Sequence, residues 1–121
     1  MKTQEIANRY WELMQQNKRS QIIEELYSTE IVNKEPEHAI AMGVPTITKG
    51  LDAVLAKTKA RMEMIEKVHS DSCSEPIVAD NFFSVVIGRD VTFKGKPLMS
   101  IYEIGVFEVK DGKIVLEQFF Y

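Results

Sequence analysis

Apolar positions recur with two different periods along the chain. Ile6, Tyr10, Leu13 and Met14 are spaced by three and four, which predicts a helix capped by Thr3, with Glu5 in its first turn and its end near Asn17. Ile22, Ile23 and Leu26 predict a second, short helix from about Ser20. A brief strand is expected over 31–35 and stops at Pro36, because the residue before a proline is driven to extended geometry. Residues 36–49, with Gly43 and Pro45, read as a loop. Leu51, Val54, Leu55, Thr58, Met62 and Ile65 make the apolar stripe of a third helix starting near Gly50. Lys57, Lys59, Arg61 and Lys67 fall mostly off that stripe and read as a solvated face.

From residue 66 the period becomes two. Strands are predicted over 66–75, 77–93, 98–109 and 113–121, with turns at Lys94-Gly95-Lys96-Pro97 and Lys110-Asp111-Gly112-Lys113. Helices followed by an antiparallel meander imply an α+β fold, with helices packed on one side of a curved sheet. Side chains alternate faces along a strand, so each face can be read off the sequence. Phe83, Val85, Ile87, Val91 and Phe93 mark the inner face of one strand, and Arg89 interrupts it. Glu103 shares a face with Met99, Ile101 and Phe107, and Glu117 shares one with Val115, Phe119 and Tyr121. Charges on an otherwise apolar face are costly unless paired or neutralised, and they suggest a polar site inside an apolar small-molecule pocket. The opposite face, with Tyr102, Ile104, Val106 and Phe120, is also apolar. A face of this kind on a small domain implies a partner, most simply a second copy related by two-fold symmetry.

Composition narrows the function classes. The chain has 121 residues, 45% of them hydrophobic and 27% charged, which is one domain's worth (1–121) with enough apolar residues for a core. A net charge of -3 argues against nucleic acid. No apolar leader or run of spanning length is present, so no membrane association is expected and a reducing cytoplasm is the default location. Cys73 stands alone beside Asp71 and Glu75, the wrong sign to activate a thiol.

Three stretches carry a family resemblance: RYWELMQQNKRSQIIEELYSTEIVNKEP, the helix opened by KGLDAVLA, and the closing FEVKDGKIVLEQFF. Together with the element order they make the chain resemble, over nearly its whole length, the nuclear transport factor 2-like superfamily, and within it the SnoaL-like cyclases and ketosteroid isomerases. The resemblance implies an α+β roll enclosing one conical pocket. It implies a general base at Glu35, which stands before Pro36 where the isomerases carry an aspartate. It also implies an oxyanion donor at Tyr10, in the Arg9-Tyr10 pair. The protonated aspartate of the isomerases falls at Gly105 here, so steroid isomerisation itself is not expected. Glu103, two residues earlier on the same face, is the candidate replacement.

The remaining candidates come from the residues themselves. Two carboxyls in one pocket, Glu103 and Glu117, cannot both stay charged cheaply, so one should hold a proton. An Arg89–Glu103 ion pair is the competing structural reading. His69 shares parity with Asp71, Cys73 and Glu75, opposite a serine face, and is expected to point inward as an alternative base. His38 follows Pro36 in a loop over the expected mouth, while Trp11, Phe83, Phe107, Phe119 and Tyr121 are expected as pocket wall. No metal-ligand spacing, nucleophile elbow or glycine-rich phosphate loop is present, so neither metal nor cofactor is expected. The expected function is cofactor-free acid/base chemistry of isomerase or cyclase type on a small apolar carbonyl compound. The alternative is a non-catalytic binder of a hydrophobic molecule or a dimerisation module.

Overall fold

A computed structural model describes residues 2–121. Helix α1 spans Thr3–Gln15, and the Glu5 carboxylate accepts the Lys2 backbone N–H at 2.9 Å, so the cap falls one residue before the expected Thr3. Asn17, at φ 57°, turns the chain out of the helix. Helix α2 covers Arg19–Leu26 and passes directly into strand β1, Tyr27–Lys34, four residues earlier than the sequence pattern suggested. The expected loop contains a short 3-10 helix, Glu37–Met42, and strand β2, Ile47–Lys49, which pairs antiparallel with β1. Helix α3 is Leu51–Glu63.

The strands follow as β3 (Ile65–Cys73), β4 (Ile77–Ala79), β5 (Phe82–Phe93), β6 (Leu98–Lys110) and β7 (Lys113–Phe120). The expected single strand over 77–93 is divided at Asp80, whose φ is 54°. The sheet order is β2-β1-β7-β6-β5-β3, with β4 also on β5. The fold is therefore α+β, with helices packed against a curved open sheet. One pairing departs from a meander: β1 lies parallel to β7, in a register that sets Asn33 opposite Glu117. The remaining strand pairs are antiparallel.

The core lies between α1, α2 and the inner sheet face. Ile6, Leu13 and Leu26 from the helices meet Ile31, Val85 and Ile114 from the strands. The odd positions of β5 are buried, as alternation predicted, except Arg89 and Phe93, which are half-buried. On the outer face Val86, Ile104 and Phe120 line up across three strands and are all exposed, and Tyr102 beside them is 65% exposed. No helix among the described residues is long and apolar enough to cross a membrane.

Candidate functional site

A cavity of about 890 Å3 opens between the inner sheet face, α2 and α3. Its polar end is built by the β1–β7 pairing. Ile31, Asn33 and Glu35 share parity at the inward face of β1 and its extension. The Glu35 N–H donates to the Thr46 carbonyl at 2.9 Å, holding that residue in line beyond the strand end. Glu117 of β7 is 7% exposed, Asn33 3% and Glu35 9%. The Tyr27 hydroxyl donates to Glu117 Oε2, and Asn33 Nδ2 donates to Glu117 Oε1 at 3.0 Å and to Glu35 Oε2 at 3.4 Å. Lys57 of α3 donates to Asn33 Oδ1 at 2.5 Å and lies 3.7 Å from Glu35 Oε2. The Tyr121 hydroxyl donates to Glu35 Oε1 at 3.0 Å. The result is one continuous network, Tyr27–Glu117–Asn33–Glu35–Tyr121, with Lys57 over it.

Burial pushes the Glu117 carboxyl above the usual carboxylate range, partly offset by the Tyr27 and Asn33 hydrogen bonds. Burial also raises Glu103, with Arg61 opposing. Tyr10 is held well above the ordinary tyrosine value by burial and then by Glu117. Both Tyr10 and Glu103 line the cavity, and among the described residues neither side chain makes a hydrogen bond. Their polar atoms are thus available to a ligand. Gly105 stands where the resemblance places the isomerases' acid. A Cβ there would stand 2.9 Å from the Phe107 ring and 3.2 Å from the Phe119 ring, so those rings occupy the space of a side chain.

Several expectations are corrected. Arg89 does not pair with Glu103: its Nη2 donates to Asp71 Oδ2 at 3.2 Å, and Arg19 Nη2 holds the same carboxylate at 2.9 and 3.1 Å. Strand register explains this: β3 on β5 sets Asp71 opposite Arg89, while β5 on β6 sets Ile87 opposite Glu103. His69 does not extend the inward parity of Cys73 and Asp71. The register shifts between Val68 and Ser70, and His69 lines the cavity at its exposed rim, where its ring bonds Thr92 Oγ1 at 2.8 Å. Phe83 and Phe107 are not pocket wall. They stack at 4.8 Å, with Tyr10 tilted 4.7 Å from Phe107, and plug the core one layer deeper. Phe119 does line the cavity. Trp11 Nε1 donates to the Cys73 carbonyl at 3.3 Å, tying α1 to β3 rather than facing the cavity. His38 is exposed on the 3-10 helix with its ring edge-on to Tyr121 at 5.5 Å. Burial raises the Cys73 thiol to about 11, which keeps it protonated.

Tyr27, Asn33, Arg19 and Lys57 were missed as site residues. Asn33 carried a readable signal, a polar side chain on the parity of Ile31 and Glu35. The Tyr27-Ser-Thr run, rich in strand formers, could have moved the strand start back. Among the described residues no group of three or more His, Cys, Asp or Glu side chains is arranged to hold a metal ion.

Comparison with known proteins agrees with this architecture. The family model described as SnoaL-like domain matches residues 1–121. No curated protein matches the chain. A protein named as a SnoaL-like polyketide cyclase from Mesorhizobium loti is 29% identical, with a TM-score of 0.91 and 100% of each chain covered. An NTF2-like protein of unknown function from Burkholderia pseudomallei is 15% identical, with a TM-score of 0.79 over 98% of this chain and 89% of the other. A protein of ketosteroid isomerase-like fold from Catenulispora acidiphila, solved with trimethylamine, is 17% identical, with a TM-score of 0.67 over 83% and 72%. The full-length family match, on a fold whose neighbours are SnoaL-like, NTF2-like and ketosteroid isomerase-like, means that the chain belongs to the SnoaL-like domain family.

Proposed function

We propose that the chain is a cofactor-free acid/base catalyst of isomerase or cyclase type acting on a small, mostly apolar carbonyl compound. The observation that carries this reading is that the Tyr10 hydroxyl and the Glu103 carboxyl, both free of protein hydrogen bonds among the described residues, line the same cavity as the ordered Glu35. Glu35 takes a proton from the carbon next to the carbonyl, and the bonding pair moves onto the carbonyl oxygen. Tyr10 and a protonated Glu103 donate hydrogen bonds to that oxygen as its charge develops. In an isomerase the proton returns to a different carbon. In a cyclase the enolate carbon bonds to a second carbonyl carbon of the same molecule, whose oxygen takes the displaced π pair and then the proton held on Glu35. Asn33, anchored by Glu117, positions Glu35.

The name of the Mesorhizobium loti protein supports the cyclase form of the chemistry. The active unit is a homodimer joined through Val86, Ile104 and Phe120 on the outer face, which leaves the cavity on the opposite face open.

The test is deuterium incorporation next to the carbonyl of 2-acetonaphthone and 2-tetralone in D2O, followed by proton NMR. The protein accelerates exchange over buffer, and Glu35→Gln lowers the rate by about 100-fold or more. Exchange no faster than buffer, or equal for Glu35→Gln, sinks the reading.

A further inference from the structure

The end of the cavity away from Glu117 is chemically different. The chain as a whole is acidic, with 18 Asp and Glu against 15 Lys and Arg. The cavity reverses this balance, since Arg19, Lys57, Lys59, Arg61 and Arg89 line it against four carboxyls. Two of those carboxyls, Glu103 and Glu117, are shifted toward their neutral forms, which deepens the cationic excess.

Asp71 alone serves two guanidinium groups, Arg19 and Arg89. Each guanidinium carries five N–H donors, so most of this pair's donor capacity is unspent. Arg89 Nε is buried and, among the described residues, has no hydrogen-bond partner. An unpaired buried donor on a charged group is costly, and a planar anion is the partner a guanidinium edge fits best. Arg89 pairs in register with Ile101, and Glu103 is the next inward position along β6, roughly 7 Å on by strand geometry. An anion on Arg89 and a carbonyl at Glu103 therefore fit one small scaffold.

We infer that the carbonyl compound carries a carboxylate, which the Arg89 guanidinium takes along its Nε edge with Arg19 beside it, while the carbonyl lies toward Glu103 and Tyr10. This rests on the catalytic reading above for the placing of the carbonyl. The anion subsite itself rests on the Arg19–Asp71–Arg89 cluster.

The probes are 6-acetyl-2-naphthoate and the same ketone without its carboxylate, 2-acetonaphthone, titrated by calorimetry against the full chain. The carboxylate binds about tenfold or more tightly than the neutral ketone, and its advantage shrinks with added salt. Arg89→Met removes the advantage and leaves 2-acetonaphthone binding unchanged. Should Arg89→Met fail to fold, Arg19→Gln carries the test, with a smaller loss confined to the carboxylate. Equal affinity for the two probes, or a carboxylate advantage that survives a folded Arg variant, overturns the anion subsite while leaving the carbonyl pocket standing. Failure of both probes to bind overturns both readings.

Discussion

Glu117 is a carboxyl taken out of water by its surroundings. It is buried, its two oxygens accept from Tyr27 and Asn33, and Glu35 stands just beyond Asn33. Because the Tyr27 hydrogen bond lowers the Glu117 pKa, Tyr27→Phe moves that group further up. Carboxyl-carbon NMR titration should show a higher Glu117 midpoint in the variant, and an unchanged midpoint would rule the hydrogen bond out as a determinant. The shift also links to stability. A carboxyl whose folded pKa lies above its ordinary 4.5 binds protons more tightly when folded. Its contribution is complete below the unfolded value and is lost as pH rises through the folded value. Glu117→Gln, measured by denaturant melts from pH 4 to 8, should therefore gain stability relative to the parent as pH rises across that window. Glu25 has the opposite sign: Arg9 holds it at about 2, so its contribution is present above 4.5 and falls away as pH drops toward 2.

At the scale of elements, the joints decide what the strands present. Gly50 begins α3 with φ 92°, and nothing lies within 4 Å of where a Cβ would stand. Gly50→Ala should therefore cost about 1–2 kcal/mol, all of it backbone, as a lower thermal midpoint with cavity binding retained. A loss of binding at full stability would mean that the joint acts on the site directly. The register shift at His69 is another joint. One extra residue in β3 sets the histidine on the cavity rim against Thr92, while Val68 and Asp71 stay opposite Val91 and Arg89. Alternation read along the sequence has no means of registering a bulge, because the bulge is defined only by the partner strand. The same holds for α3: Lys57 lies off its apolar stripe, as a solvated residue would, and only the packing of α3 across the cavity brings it to Glu35.

At the scale of the whole molecule, the sheet offers two apolar faces with different roles. The inner one holds the core and cavity. The outer one leaves Val86, Ile104 and Phe120 in one row across β5, β6 and β7. With the dimer proposed above, Ile104→Lys gives a monomer by sedimentation velocity, because a charge at the centre of an apolar interface is left without a partner. Unchanged sedimentation in the folded variant would remove the outer face as the contact.

Local periodicity carried the helices, the long strands, the buried odd face of β5 and the inward parity of Glu103 and Glu117. Those follow from the 3.6- and two-residue repeats of the backbone, which act on neighbours in the chain. The tertiary structure alone decided which polar groups meet. The parallel pairing of β1 with β7 joins Asn33 to Glu117 across 84 residues. The antiparallel register of β3 with β5 gives Asp71, and not Glu103, to Arg89. Pair identity depends on strand order and register, and these are fixed by burying the core as a whole, so no local pattern along the chain encodes them.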